Sequence, residues 1–99
     1  MATHTNLRRL FKFYNKKYFA NSISEDTSVM WAPMDHNLGE YQQPGEIRID
    51  TTLQGSPKLA RIILLHEMIH ARFPKATHGR VFKAERQRLW ELGAYEELL

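Results

Sequence analysis

The sequence predicts an α+β fold with an N-terminal helix, about three mainly antiparallel strands and two further helices. Three observations support this prediction. Apolar residues recur with a helical period near the N-terminus, β-forming segments fill residues 27–50, and an apolar helix beginning at a proline follows them. Because the chain has 99 residues, we expect one domain that spans residues 1–99.

The first helix is predicted over residues 5–20. Its apolar stripe follows the period of 3.6 and consists of Leu7, Leu10, Phe11, Tyr14 and Tyr18. The opposite face carries cations that could follow a phosphate backbone, so nucleic acid is a candidate partner: Arg8, Arg9, Lys12 and Lys16. The simpler interpretation of the same residues is a solvated helix face.

Three strands are predicted at residues 27–32, 38–42 and 46–50. The last of them alternates apolar Ile47 and Ile49 with polar residues, which indicates one buried face. Pro44 and Gly45 lie between the second and third strands and favour a type II turn. Such a small sheet needs a covering helix to be stable.

The second helix has a sharp start, because Ser56 can cap it and Pro57 suits its first position. It is apolar on nearly every side, which predicts a central place in the domain. Phe73 and Pro74 should end it near Arg72. The last helix is predicted to start near residue 78, with Thr77 as its cap.

The second helix contains the motif His66-Glu67-Met68-Ile69-His70. Histidines at positions i and i+4 share one face, so both imidazoles can reach one ion, and Glu67 projects beside it. A catalytic zinc ion keeps three protein ligands and a water molecule. The third ligand must therefore come from elsewhere, and the downstream candidates are His78, Glu85 and Glu91.

Composition excludes several other classes of protein. The chain has no cysteine, so disulfides, thiol nucleophiles and iron–sulfur clusters are excluded. No apolar run approaches the ~18 residues that a membrane span needs. The N-terminal residues lack a secretory pattern, so we expect a cytoplasmic protein.

Taken together, the segments resemble the SprT-like metallopeptidase domain over almost the whole chain. The specific segments are LLHEMIHA at 64–71 and HGRVF at 78–82, and the supporting ones are FYNKKYF at 13–19, VMWAPM at 29–34, LGEY at 38–41 and IRID at 47–50. The resemblance implies a zinc-dependent endopeptidase with one Zn²⁺, the ligands His66, His70 and His78, and Glu67 as catalytic residue. The chain is also similar to minimal gluzincin-type peptidases, in which a glutamate is the third ligand.

The implied mechanism is hydrolysis of a protein or peptide by a zinc-bound water that Glu67 activates. We expect a monomer whose substrate lies along a sheet edge as an added strand. The group that stabilises the oxyanion is left open among Tyr41, Arg80 and Tyr95. The alternatives are a basic nucleic-acid-binding module and a latent zinc-binding protein with a non-catalytic motif. A further hypothesis is that residues 94–99 cover the cleft.

Overall fold

The computed structural model describes residues 5–98 and confirms the α+β fold. Its elements, in chain order, are α1 (Leu7–Tyr18), β1 (Ser28–Ala32), β2 (Gly39–Gln42), β3 (Glu46–Asp50), α2 (Pro57–Arg72) and α3 (Arg80–Glu91). A 3-10 turn, Thr51–Gly55, links β3 to α2. Among the described residues, no helix is both long and apolar enough to cross a membrane.

The sheet is mixed, which differs in part from the mainly antiparallel prediction. Strand β3 lies in the middle, antiparallel to β2 and parallel to β1, in the order β1-β3-β2. Ile47 of β3 therefore faces Val29 on one side and Tyr41 on the other. The alternation of apolar residues predicts which face is buried but carries no information on strand order. One consequence is that β2 lies at an edge of the sheet.

Helix α2 packs against the sheet and fills the centre of the core, as its apolar sequence predicts. Leu64, Leu65, Met68 and Ile69 are fully buried. Each such side chain contributes about 2 kcal/mol through burial of apolar surface. Because this helix is held so firmly, the histidines that project from its other face have fixed positions.

Helix α1 begins at Leu7, two residues later than predicted, because Asn6 caps it by accepting a hydrogen bond of 3.0 Å from the Arg9 amide. Its cationic face is not uniform. The guanidinium of Arg8 donates to the carbonyls of Glu25 and Thr27 and so holds the following loop. Arg9, Lys12 and Lys16 are exposed, and contact with nucleic acid stays a prediction for them.

Three local predictions are wrong in detail. Gly45 lacks the positive φ that a type II turn requires at this position, so the turn is not of type II. Helix α2 spans Pro57–Arg72 as predicted, but the Ser56 hydroxyl makes no capping hydrogen bond. Helix α3 starts at Arg80 rather than near residue 78, and its N-cap is Gly79 instead of Thr77.

The C-terminal tail packs into the core as far as residue 98, and Leu99 lies outside the described residues. Ala94, Tyr95 and Leu98 are buried. Glu96 and Glu97 line a groove to which none of the three histidines contributes. Of these residues, Tyr95 reaches a pocket that His66 also lines. This packing does not support the hypothesis that the tail is a flexible cover over the cleft.

Candidate metal centre

Three histidine rings converge at one place on the surface of α2. His66 and His70 lie one helical turn apart, with their ring centroids 5.1 Å from each other. The Nε2 atom of His78 lies 3.1 Å from Nε2 of His66 and 3.0 Å from Nε2 of His70. One ring nitrogen from each residue lies within 4.8 Å of the others. The structure thus places together the three histidines that the family resemblance implies as ligands.

The loop between α2 and α3 brings His78 back to the motif. Helix α2 ends where the Phe73 amide donates to the carbonyl of Ile69, and His78 follows five residues after Phe73. One turn beyond His78, the buried ring of Phe82 lies under all three imidazoles, with centroid distances of 4.7 to 4.9 Å. Phe82 therefore forms an apolar floor that fixes the orientations of the rings.

The donor set fits a zinc ion. Nitrogen ligands at zinc's usual bond length and tetrahedral angle lie roughly 3.3 Å apart. The separations from His78 to the other two rings, 3.1 and 3.0 Å, are close to this value, and all three donors lie within 4.8 Å of one another. Imidazoles must be neutral to bind a metal. Burial, aided by His70, His78 and Arg86, lowers the pKa of His66 from 6.5 to about 4. Burial also lowers the pKa of His70, and the charge of His78 lowers it further, whereas a backbone hydrogen bond at Ala76 acts to raise it.

Glu67 lies next to this cluster, with only 6% of its surface exposed. Burial, with a smaller contribution from the charge of Glu40, raises its pKa from 4.5 to about 7. A carboxyl group with this pKa can both accept and release a proton near neutral pH.

Gly39, at the start of β2, makes the close approach of the strand to Glu67 feasible. A Cβ atom at Gly39 would lie 2.5 Å from Cγ2 of Ile63 and 3.1 Å from Oε2 of Glu67. This role of Gly39 is not among the predictions from the sequence. The available signal was a glycine within a strand, which often marks a close backbone approach.

The other candidate ligands lie outside the cluster. Glu85 accepts hydrogen bonds from Arg88, and Glu91 accepts one from Gln87. Of the three groups considered for the oxyanion, Tyr95 is buried and shares a pocket with His66, Tyr41 is half-buried on β2, and Arg80 is exposed. These positions do not single out one of the three.

Comparisons with known proteins identify the family. The metallopeptidase zymogen of Pyrococcus abyssi abylysin has the same fold, with a TM-score of 0.69 and 16% identity over 93% of this chain and 87% of that chain. The metallopeptidase zymogen of Methanocaldococcus jannaschii jannalysin gives a TM-score of 0.70 and 18% identity, over 97% of this chain and 86% of that chain. No curated protein sequence matches the chain. The sequence profile of the SprT-like family matches residues 7–96, and the chain therefore belongs to that family.

Proposed function

We propose that this protein is a zinc-dependent metallopeptidase that hydrolyses internal peptide bonds. The observation that carries the proposal is the convergence of His66, His70 and His78 beside the buried carboxyl group of Glu67. A purely structural zinc site would fill its fourth position with protein and would not need this acid. Membership of the SprT-like family and a fold shared with two metallopeptidase zymogens support the same proposal.

In the proposed reaction His66, His70 and His78 hold one zinc ion. When bound, the ion would polarise the scissile carbonyl and lower the pKa of a water molecule to about 7. The buried Phe82 ring keeps the three imidazoles in place and excludes water from one side of the cluster.

Glu67 has the role of general base and then of general acid. Burial raises the pKa of Glu67 in the metal-free protein and so makes its carboxylate a stronger base, and in the proposed reaction this carboxylate takes a proton from the attacking water. The protonated group can afterwards give this proton to the departing amine. Low exposure limits proton exchange between Glu67 and bulk solvent during the cycle.

The outer edge of β2 is the proposed support for the substrate backbone. Strand β2 pairs only with β3 in the described sheet, so its other edge is free to accept an extended peptide. Gly39 begins this strand and lies directly against Glu67. A peptide added along β2 would therefore pass beside the general base.

The test is zinc analysis combined with a cleavage assay on casein. We expect about one zinc ion per chain, cleavage that stops on addition of a chelator, and recovery when zinc is restored. His70→Ala should lose both zinc and activity. His36→Ala, which changes an exposed histidine outside the cluster, is the matched control and should retain both. Zinc binding without cleavage would contradict the peptidase proposal and favour a latent zinc-binding protein.

A further inference from the structure

A pocket of about 530 Å³ opens between α2 and α3, directly beside the metal cluster. His66 and Ile62 form its α2 wall. The α3 wall carries Lys83, Arg86 and Trp90, and Tyr95 also lines the pocket. The pocket therefore joins an apolar surface to two cations within reach of the proposed catalytic centre.

The helical period explains why these side chains face the pocket. Lys83, Arg86 and Trp90 are spaced three and four residues apart and thus share one face of α3. The core side of the same helix is occupied by Phe82 and Leu89, which are fully buried. Trp90 is 56% exposed although it is large and apolar. Its ring centroid lies 6.2 Å from that of Tyr95, so the two rings together form the aromatic part of the pocket lining.

The two cations have no acidic partner in the part of the chain that the structure describes. The ion pairs found there join Arg48 to Glu46 and Arg88 to Glu85. The remaining acid of α3, Glu91, accepts a hydrogen bond from Gln87. The pocket is consequently positive, and it lacks a protein carboxylate that would neutralise Lys83 and Arg86.

Two acidic residues lie where β2 approaches α2. Glu67 and Glu40 lie there, and Glu40 is close enough to raise the pKa of Glu67. On the pocket side, the charge of Arg86 contributes to the lowered pKa of His66. The acids therefore belong to the region around β2, whereas the charged side chains that line the pocket are the cations Lys83 and Arg86.

We propose that this pocket binds a carboxylate of the substrate at a residue that flanks the scissile bond. Arg86 and Lys83 pair with the carboxylate, because guanidinium and ammonium groups donate charge-assisted hydrogen bonds to it. Ile62 and Trp90 contact the aliphatic part of the same side chain. The carboxylate is that of an Asp or Glu side chain. A peptide C-terminus offers the same group, but its capture here would imply removal of terminal residues rather than cleavage of internal bonds. The proposal rests on the proposed peptidase function.

The main test compares the kcat/KM of the zinc-loaded protein for matched blocked peptides that differ only by Glu or Gln beside the cleaved bond. We expect a preference of up to about tenfold for Glu, as two exposed charge contacts would give. Arg86→Glu should abolish or reverse this preference. The milder double variant Lys83→Gln/Arg86→Gln should reduce it if the charge reversal impairs folding. Lys58→Glu, an exposed cation elsewhere on α2, should leave it unchanged.

A second pair of peptides, with a free or an amidated C-terminus, separates the two sources of the carboxylate. A preference for Glu assigns the pocket to a side chain, and a preference for the free terminus alone would overturn the proposal. Equal rates within both pairs, or faster cleavage with Leu in place of Glu, would overturn the proposal. A preference for Glu that persists in both Arg86→Glu and Lys83→Gln/Arg86→Gln would overturn the proposal as well.

Binding to the metal-free protein distinguishes failure of the pocket from failure of the peptidase function. The Trp90 indole resonance should shift when the blocked Glu peptide is added and shift much less with the Gln peptide. This result would support the pocket even if the zinc-loaded protein cleaved no peptide. Equal shifts with the two peptides would overturn the pocket whatever the activity.

Discussion

The charged form of Glu67 should destabilise the metal-free protein, and Glu67→Gln should remove this cost. Burial raises the pKa of Glu67 from 4.5 to about 7. A difference of this size between the folded and unfolded chain corresponds to about 3 kcal/mol of free energy. The folded protein is more stable with Glu67 protonated than with Glu67 ionised. This extra stability is fully present below pH 4.5 and is lost as pH rises through 7.

His66 acts in the opposite direction and is present in both proteins. Because its folded pKa is lowered from 6.5 to about 4, its contribution to stability is present above pH 6.5 and is lost as pH falls toward 4. In the wild-type protein the slopes of stability against pH from Glu67 and His66 oppose each other between pH 4.5 and 6.5. Glu67→Gln loses the opposing slope and keeps those of His66 and His70, whose pKa values are both lowered, so its stability should fall clearly across this range as pH is lowered.

Urea unfolding in the presence of a chelator measures this effect. At pH 8, Glu67→Gln should be more stable than the wild type by about 2–3 kcal/mol, with the same dependence on urea concentration. At pH 4 the two proteins should differ by less than about 1 kcal/mol. Glu25→Gln, at an exposed position, should change stability by less than about 0.5 kcal/mol at either pH. Equal stability of Glu67→Gln and wild type at pH 8 would refute the reasoning.

Three further substitutions test the site. His78→Ala should weaken zinc binding more than about 100-fold in a competition titration with a coloured chelator, whereas Glu85→Ala should not; the reverse result would make the glutamate the ligand. Gly39→Ala should lower the free energy of unfolding by about 1–3 kcal/mol and slow cleavage, because its methyl group displaces Ile63 and Glu67. Gly55→Ala, with no neighbour within 4 Å, is its control, and equal effects would contradict the packing argument. Phe82→Ala should cost about 3–5 kcal/mol in urea unfolding, and a cost below about 1 kcal/mol would show that the ring does not support the cluster.

Local patterns in the sequence predict the elements that carry the site. The proline start and the Phe73–Pro74 end define α2 correctly, and the spacing of His66 and His70 places both rings on one face. The interaction of His78 with them depends on the path of the loop between α2 and α3. Residue spacing alone left Glu85 and Glu91 open as alternatives, because an antiparallel helix could also have brought a glutamate to the motif.

Features that depend on tertiary contacts could not be predicted in the same way. The parallel pairing of β1 with β3 requires knowledge of strand order, which the alternation of Ile47 and Ile49 does not contain. The start of α3 lies at Arg80 because the turn containing His78 and Gly79 precedes it. The contact between Gly39 and Glu67 joins residues 28 positions apart, and the pocket beside His66 arises only when α3 packs against α2.

The most direct test of the central claim is the zinc content and peptidase rate of Glu67→Gln measured on the same preparation. The three histidines are unchanged in this variant, so we expect it to bind one zinc ion as the wild type does. Loss of the proton acceptor should lower kcat/KM for peptide cleavage by about 10²–10⁴-fold. Wild-type cleavage by zinc-loaded Glu67→Gln would contradict the proposed role of Glu67 and the mechanism built on it.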